Sequence, residues 1–267
     1  MSGPGTPGAG GGIGGTTAGG GGPTTGAGGA GGGYTTQPRG PTSRTELKLA
    51  WEYPTYVEKV ESKDGKTSAV RARHALTAPE AFAYLAGEDQ RPMLILRECL
   101  KCNGTDNALM TRNADNERTM LMSRWFHCIK LPPDVLEADH PFHVLFADAK
   151  PGHLFFSRWD GTNRKDLTGQ QSRTELWDLM ESYLDAEYER GADTTVKSLL
   201  TLLDRYDRLD ADLAKAKDEI DDLIEKGQGE SNKLKKLQEK VADLEAAKKR
   251  ARSEAVKLSE LKLNANA

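Results

Sequence analysis

The chain has 267 residues, with 37 Lys and Arg against 40 Asp and Glu, and a net charge of −3. Outside the C-terminal helical stretch no cluster of Lys and Arg dominates, which argues against electrostatic binding to nucleic acid or to an acidic membrane surface. No apolar run approaches the roughly 18 residues that a membrane-spanning helix needs, and three cysteines are too few and too odd a number for a disulfide scaffold.

Residues 1–43 hold 19 of the 28 glycines and almost no large apolar side chain. Such a segment cannot bury enough surface to offset its chain entropy, so a disordered leader is expected there. The opening MSGPGTPGAGGG lacks the basic and apolar regions of a signal peptide. The expectation is a cytoplasmic protein, or an exported one if the native start lies upstream. Residues 44–190 are expected to form one α/β domain, with 44–75 as an N-terminal strand extension, and 191–263 a helical hairpin.

Within the central part, Glu46 to Trp51 alternates polar with apolar and predicts a strand. Residues 56–73, centred on Lys63-Asp64-Gly65-Lys66, predict a β-hairpin. Thr77-Ala78-Pro79-Glu80 has the spacing of a capping box with Pro in the first turn, and the helix it opens should end at Gly87. Met93-Leu94-Ile95-Leu96 is a continuous apolar run, as expected of a strand buried on both faces. Helical periodicity follows from Ala108 to Trp125, interrupted near Asn113 to Asn116, with Asn116 a candidate cap. Phe126 to Leu131 predicts the next strand, parallel to the first across the intervening helix. Leu154 to Phe156 and Asn163 to Thr168 predict two strands joined by a turn at Asp160-Gly161. Ser172-Arg173-Thr174-Glu175 is a second capping box, opening a helix with Leu176, Leu179, Met180, Tyr183 and Leu184 on one face, expected to end at Gly191.

The first core strand runs straight into Cys99-Leu100-Lys101-Cys102. The order β-α-β-α-β-β-α, with PMLILRECLKC, FHCIKL and HLFFSRWDGTNRKDLTG ahead of SRTELWDLM, resembles the thioredoxin-like family over residues 79–190. That resemblance implies a central sheet flanked by helices, with Cys99 attacking a disulfide substrate and Cys102 resolving the mixed disulfide. It also implies that Cys99 sits at a helix N-terminus, whose partial positive charge favours the thiolate, with Lys101 adding to it. Glu98 stands where family members carry an aromatic residue. The place of the family's cis-proline falls on His153, with Pro151 two residues before it. Lys101, Pro151 and His153 are therefore the substrate-facing candidates.

Metal binding is the competing use of the thiols. Cys99, Cys102 and Cys128 with His127, or with His140 or His143, would make a four-ligand zinc set. Against it, Cys128 reads as a small buried hydrophobe inside a strand. The phosphate loop, nucleophile elbow and metalloprotease helix have no counterpart here, so no cofactor is assigned.

From Leu199 a three-four spacing runs through Leu202, Tyr206, Leu209, Leu213, Ala216, Ile220 and Leu223. It resumes at Leu234, Leu237, Val241 and Leu244 and continues to Ala251, Ala255 and Leu258, as in a coiled-coil seam. Gly227 and Gly229 interrupt it. Residues 193–226 carry ten acids and six bases, and 230–262 carry six acids and ten bases. Folding back sets opposite charges together, with Tyr206 facing Ala251, Leu202 facing Ala255 and, as a blemish, Leu209 facing Lys248. Two functions follow. One is a thiol-disulfide oxidoreductase acting through Cys99 and Cys102. The other is a thioredoxin-fold interaction module whose helical arm docks a protein partner or self-associates.

Overall fold

The computed structural model describes residues 38–56, 73–99, 108–111 and 114–264. Its centre is a four-stranded mixed sheet in the order β2-β1-β3-β4. β1 (Met93–Arg97) runs parallel to β2 (His127–Leu131) and antiparallel to β3 (Leu154–Ser157). β4 (Lys165–Leu167) pairs antiparallel with β3 at the edge. β1, β2 and β3 are buried along their whole lengths, because both faces of the sheet are covered.

The strand alternation divides the core in two. Leu94, Leu96, Cys128, Leu154 and Phe156 face one cluster, and Met93, Ile95, Ile129, Leu131 and Phe155 face the other. The second cluster is closed by α2 (Ala78–Ala86) and by two 3-10 turns, Pro133–Leu136 and His143–Phe146. The Thr77–Glu80 capping box forms at the start of α2, and Gly87 ends it at φ 53°. The first cluster is closed by α3 (Glu117–Met122), α4 (Arg173–Glu187) and the proximal part of α5 (Ala192–Glu225). Leu176, Met180, Tyr183 and Leu184 of α4 are buried as their spacing requires.

α5 and α6 (Asn232–Ser259) pack antiparallel, tied by Arg205 to Glu254, Lys248 to Asp210 and Lys217 to Glu245. Leu202, Tyr206, Ala251 and Ala255 are buried together in the first cluster. Lys248 turns its ammonium onto Asp210 at 2.6 Å instead of confronting Leu209. The far end of the pair keeps a small core of its own, Leu223, Leu234 and Leu237. Among the described residues no helix is long and apolar enough to cross a membrane.

Several expectations are corrected. Glu46 to Trp51 is no strand. Pro41–Glu46 forms a short helix, α1, and the residues after it join no ladder until Glu52, whose backbone bonds Cys128 and Lys130 on the edge of β2. The reason is tertiary. Asp207 and Asp210 on α5 accept hydrogen bonds from Gly40 N, Thr42 N and the Thr42 and Ser43 hydroxyls, holding the open amides of α1. Residues 38–43 are thus built into the fold, although composition assigns them to the leader. Arg39, with a side chain 8% exposed, bridges Glu117, Asp204 and Asp207. Asn116 stands at the N-cap of α3 as expected, but its side chain bonds Thr111 and Ala114 and not the helix amides. α4 stops at Glu187, and Gly191 instead precedes α5. The hairpin expected over 56–73 lies almost wholly outside the described residues.

Candidate functional site

β1 delivers its C-terminal end to the place where the ladder with β2 and the ladder with β3 both run out. Arg97 N donates to the His153 carbonyl at 2.7 Å, and Glu98 N to the Leu131 carbonyl at 2.8 Å, so both ladders continue one step past the strands. Cys99 follows, half-buried and disulfide-bonded. The β1–β3 register pairs Leu96 with Leu154. The Arg97 N–H bond to the His153 carbonyl sets those two residues across from each other. His153 therefore lies at the end of the sheet from which Cys99 follows, with Pro151 two residues before it. Lys101 and Cys102 lie outside the described residues, as does the stretch 100–107, where a helix is expected to begin. Among the described residues the next α-helix after Cys99 is α3, starting at Glu117.

Arg97 is the residue that motif and spacing do not single out. It is only 6% exposed and sits over the Phe146 ring at 5.8 Å. One guanidinium nitrogen contacts His153 Nδ1 at 3.2 Å, another donates weakly to the Glu98 carbonyl at 3.4 Å, and Nε has no partner among the described residues. No acidic side chain among the described residues pairs with it, and burial holds its pKa below the usual arginine range. Because an arginine can only donate, His153 Nδ1 must accept, which fixes the neutral ring with its proton on Nε2. Burial, and then the Arg97 charge, push the His153 pKa down in the same sense. The available signal was a cation at an inward-facing position of the apolar run PMLILRECLKC.

Among the described residues the metal ligands are not brought together. β1 and β2 are parallel, so His127 pairs with Met93 and Cys128 with Leu94, at the opposite end of β1 from Cys99. Five residues of extended chain separate Leu94 from Cys99, about 16 Å. Cys128 is free and buried, its thiol pushed up to about 12 by desolvation. His127 bonds Glu52 at 2.8 Å, His140 accepts from Phe142 N, and His143 contacts the Val135 carbonyl. Among the described residues no three His, Cys, Asp or Glu are grouped to hold a metal ion.

In chemical terms, this end of the sheet offers a buried cation against a neutral imidazole, two residues ahead of a disulfide-bonded cysteine. In comparisons with known proteins, the chain matches no family model, no curated protein and no solved structure.

Proposed function

We propose that the protein is a thioredoxin-like thiol-disulfide oxidoreductase acting through Cys99 and Cys102. The observation that carries the reading is the disulfide at Cys99, half-buried at the C-terminal end of the central strand. The sheet order supports the family resemblance. In the reaction, the Cys99 thiolate attacks one sulfur of a substrate disulfide and expels the other as a thiolate. Cys102, once deprotonated, attacks the Cys99 sulfur of the mixed disulfide and releases the second substrate thiolate. The protein is left with the Cys99–Cys102 disulfide, two electrons having passed to the substrate, and a dithiol donor restores it. The test is insulin reduction driven by dithiothreitol, comparing the wild type with Cys99→Ser. Catalysis above the dithiothreitol background, lost in the variant, supports the proposal; equal rates overturn it.

A second reading is favoured by a separate observation: α5 and α6 pack together as an antiparallel pair that leaves apolar side chains exposed. On that reading the disulfide is a structural clip, and the α5–α6 arm, as a coiled coil, docks a protein partner or self-associates through Ile224 and Val256, both more than half exposed. Sedimentation equilibrium of the wild type against an Ile224→Asp, Val256→Asp double variant discriminates. Association lost in the variant supports this reading, and a wild type that stays monomeric refutes its self-association form.

A further inference from the structure

We infer that the α5–α6 arm takes a second copy of this chain lengthwise and in antiparallel orientation, Ile224 of each copy lying against Val256 of the other. This rests on the self-association reading of the arm and adds its partner, its orientation and the charges that select them. The arm is thinly packed. From Asp207 around the tip to Arg250 only Ala216, Leu223, Leu234 and Leu237 are buried, while Leu213, Ile220, Val241 and Leu244 of the same seam are half-buried. Ile224 and Val256 stand 55% and 59% exposed. Each follows a buried seam residue directly, Leu223 and Ala255, and equal offsets on antiparallel helices fall on one side of the pair. α1 covers that side of α5 at Asp207 and Asp210, so near the base of the arm it is α6 that stays open. A second two-helix arm laid on that side closes a four-helix bundle.

Charge selects the occupant and its direction. Around Ile224 stand the exposed Asp221, Asp222 and Glu225, and around Val256 the exposed Arg252 and Lys257. Next to Val256, α6 forms a groove floored by Ala246 and Ser253 between Lys249, Arg250 and Lys257, and Glu254 beside them is held by Arg205 at 3.0 Å. The arm's own ion pairs, Arg205–Glu254, Lys248–Asp210, Lys217–Glu245 and Lys226–Asp222, leave Asp221, Glu225, Arg252 and Lys257 unpaired among the described residues. A parallel partner would set acids on acids and bases on bases. An antiparallel one sets each acidic tip on the other copy's basic stretch. The lengths agree with a two-fold axis. Arg205–Glu254 and Lys248–Asp210 place Val256 level with Leu202, and from Leu202 to Ile224 is about 33 Å of helix. The contact therefore forms twice, with the axis midway, where Leu213 and Leu244 stand half-buried.

The test is charge reversal read by sedimentation equilibrium of the full chain over a concentration series. The wild type should reach the dimer mass. An Asp221→Lys, Glu225→Lys variant and an Arg252→Glu, Lys257→Glu variant should each stay monomeric, because each then sets like charges together at both contacts. Mixed in equal amounts, the two should recover the dimer mass, since every reversed patch again meets its opposite; far-UV circular dichroism should show unchanged helix content in both. For orientation, an Ile224→Cys chain mixed with a Val256→Cys chain should give, on oxidation, a covalent dimer that neither gives alone. A wild type that is monomeric throughout overturns the inference, as does a mixture of the reversed variants that stays monomeric, or an Ile224→Cys chain that cross-links with itself. The pairing and the reading beneath it fail separately. Association indifferent to charge reversal but lost in the Ile224→Asp, Val256→Asp variant sinks only the antiparallel pairing, whereas a monomeric wild type sinks self-association in every form and leaves docking to another protein.

Discussion

Gly161 closes the turn between β3 and β4 at φ 83°, its N–H bonded to the Arg158 carbonyl. A Cβ at this position would stand 2.2, 2.4 and 2.7 Å from three ring carbons of Phe82. Carbon atoms in contact sit about 3.5–4.0 Å apart, so the ring would have to retreat by more than an ångström. It has little room to do so, because Phe82 is buried in the α2 side of the core and packs edge-on against Phe155 at 6.3 Å. Gly161→Ala should therefore incur two costs: about 1–2 kcal/mol for an L-residue in the left-handed region and about 1–3 kcal/mol for overpacking. Gly87, with φ 53° and no atom within 4 Å of where a methyl group would stand, isolates the first cost. Urea unfolding of the full chain should show Gly161→Ala losing about 2–5 kcal/mol and Gly87→Ala about 1–2 kcal/mol, at equal m-values. In a Phe82→Ala background the Gly161 penalty should fall to the Gly87 level, since the two residues share one contact. Equal losses at the two glycines, or a Gly161 penalty indifferent to the ring, would refute the steric argument.

Three further outcomes follow from the packing. Arg39→Ala should cost about 3–5 kcal/mol by thermal or urea unfolding, because it strands the buried Glu117 carboxylate without its cation; a loss below about 1 kcal/mol would show that water replaces the guanidinium. At Asp207 and Asp210 burial favours the neutral acid but is outweighed by hydrogen bonds, from Ser43, Arg39 and Gly40 at the first and from Lys248 and Thr42 at the second, so both carboxyls titrate below the ordinary range. A depressed folded pKa adds stability above the unfolded value of about 3.9 and loses it as pH falls through the folded value. The 38–46 segment should thus loosen below about pH 4, read as loss of amide-exchange protection in α1, and Asp207→Asn should flatten that dependence. Cys128, buried with its thiol pushed up to about 12, should resist iodoacetamide at about pH 8 in the native protein and react on unfolding; rapid native labelling would contradict its burial.

Local chemistry made much of the sheet legible. The Thr77 and Ser172 capping boxes, the unbroken apolar run of β1 and the Asp160-Gly161 turn each carry their instruction within a few residues, and each forms where its residues stand. Glu46 to Trp51 shows where such reading stops. Its alternation is real, since Leu47 is buried and Leu49 and Trp51 pack partly on the core. An alternating segment becomes a strand only if a ladder partner lies beside it, and here the sheet edge offers a pairing at Glu52 alone.

The candidate site divides in the same way. The thiols could be read directly, because a Cys-x-x-Cys after an apolar run is a local pattern. That Cys128 and His127 belong to the far end of the sheet depended on the parallel register of β1 and β2. Arg97 was one cation among 37 Lys and Arg residues until folding placed it over Phe146 and against His153, paired with no carboxylate among the described residues. Local sequence determined the capped helices and the apolar strands of the sheet, because caps, turns and periodicity act over a few residues. Only tertiary structure decided which charges lose their water and which neighbours they find there, because burial belongs to the assembled core and to no residue alone.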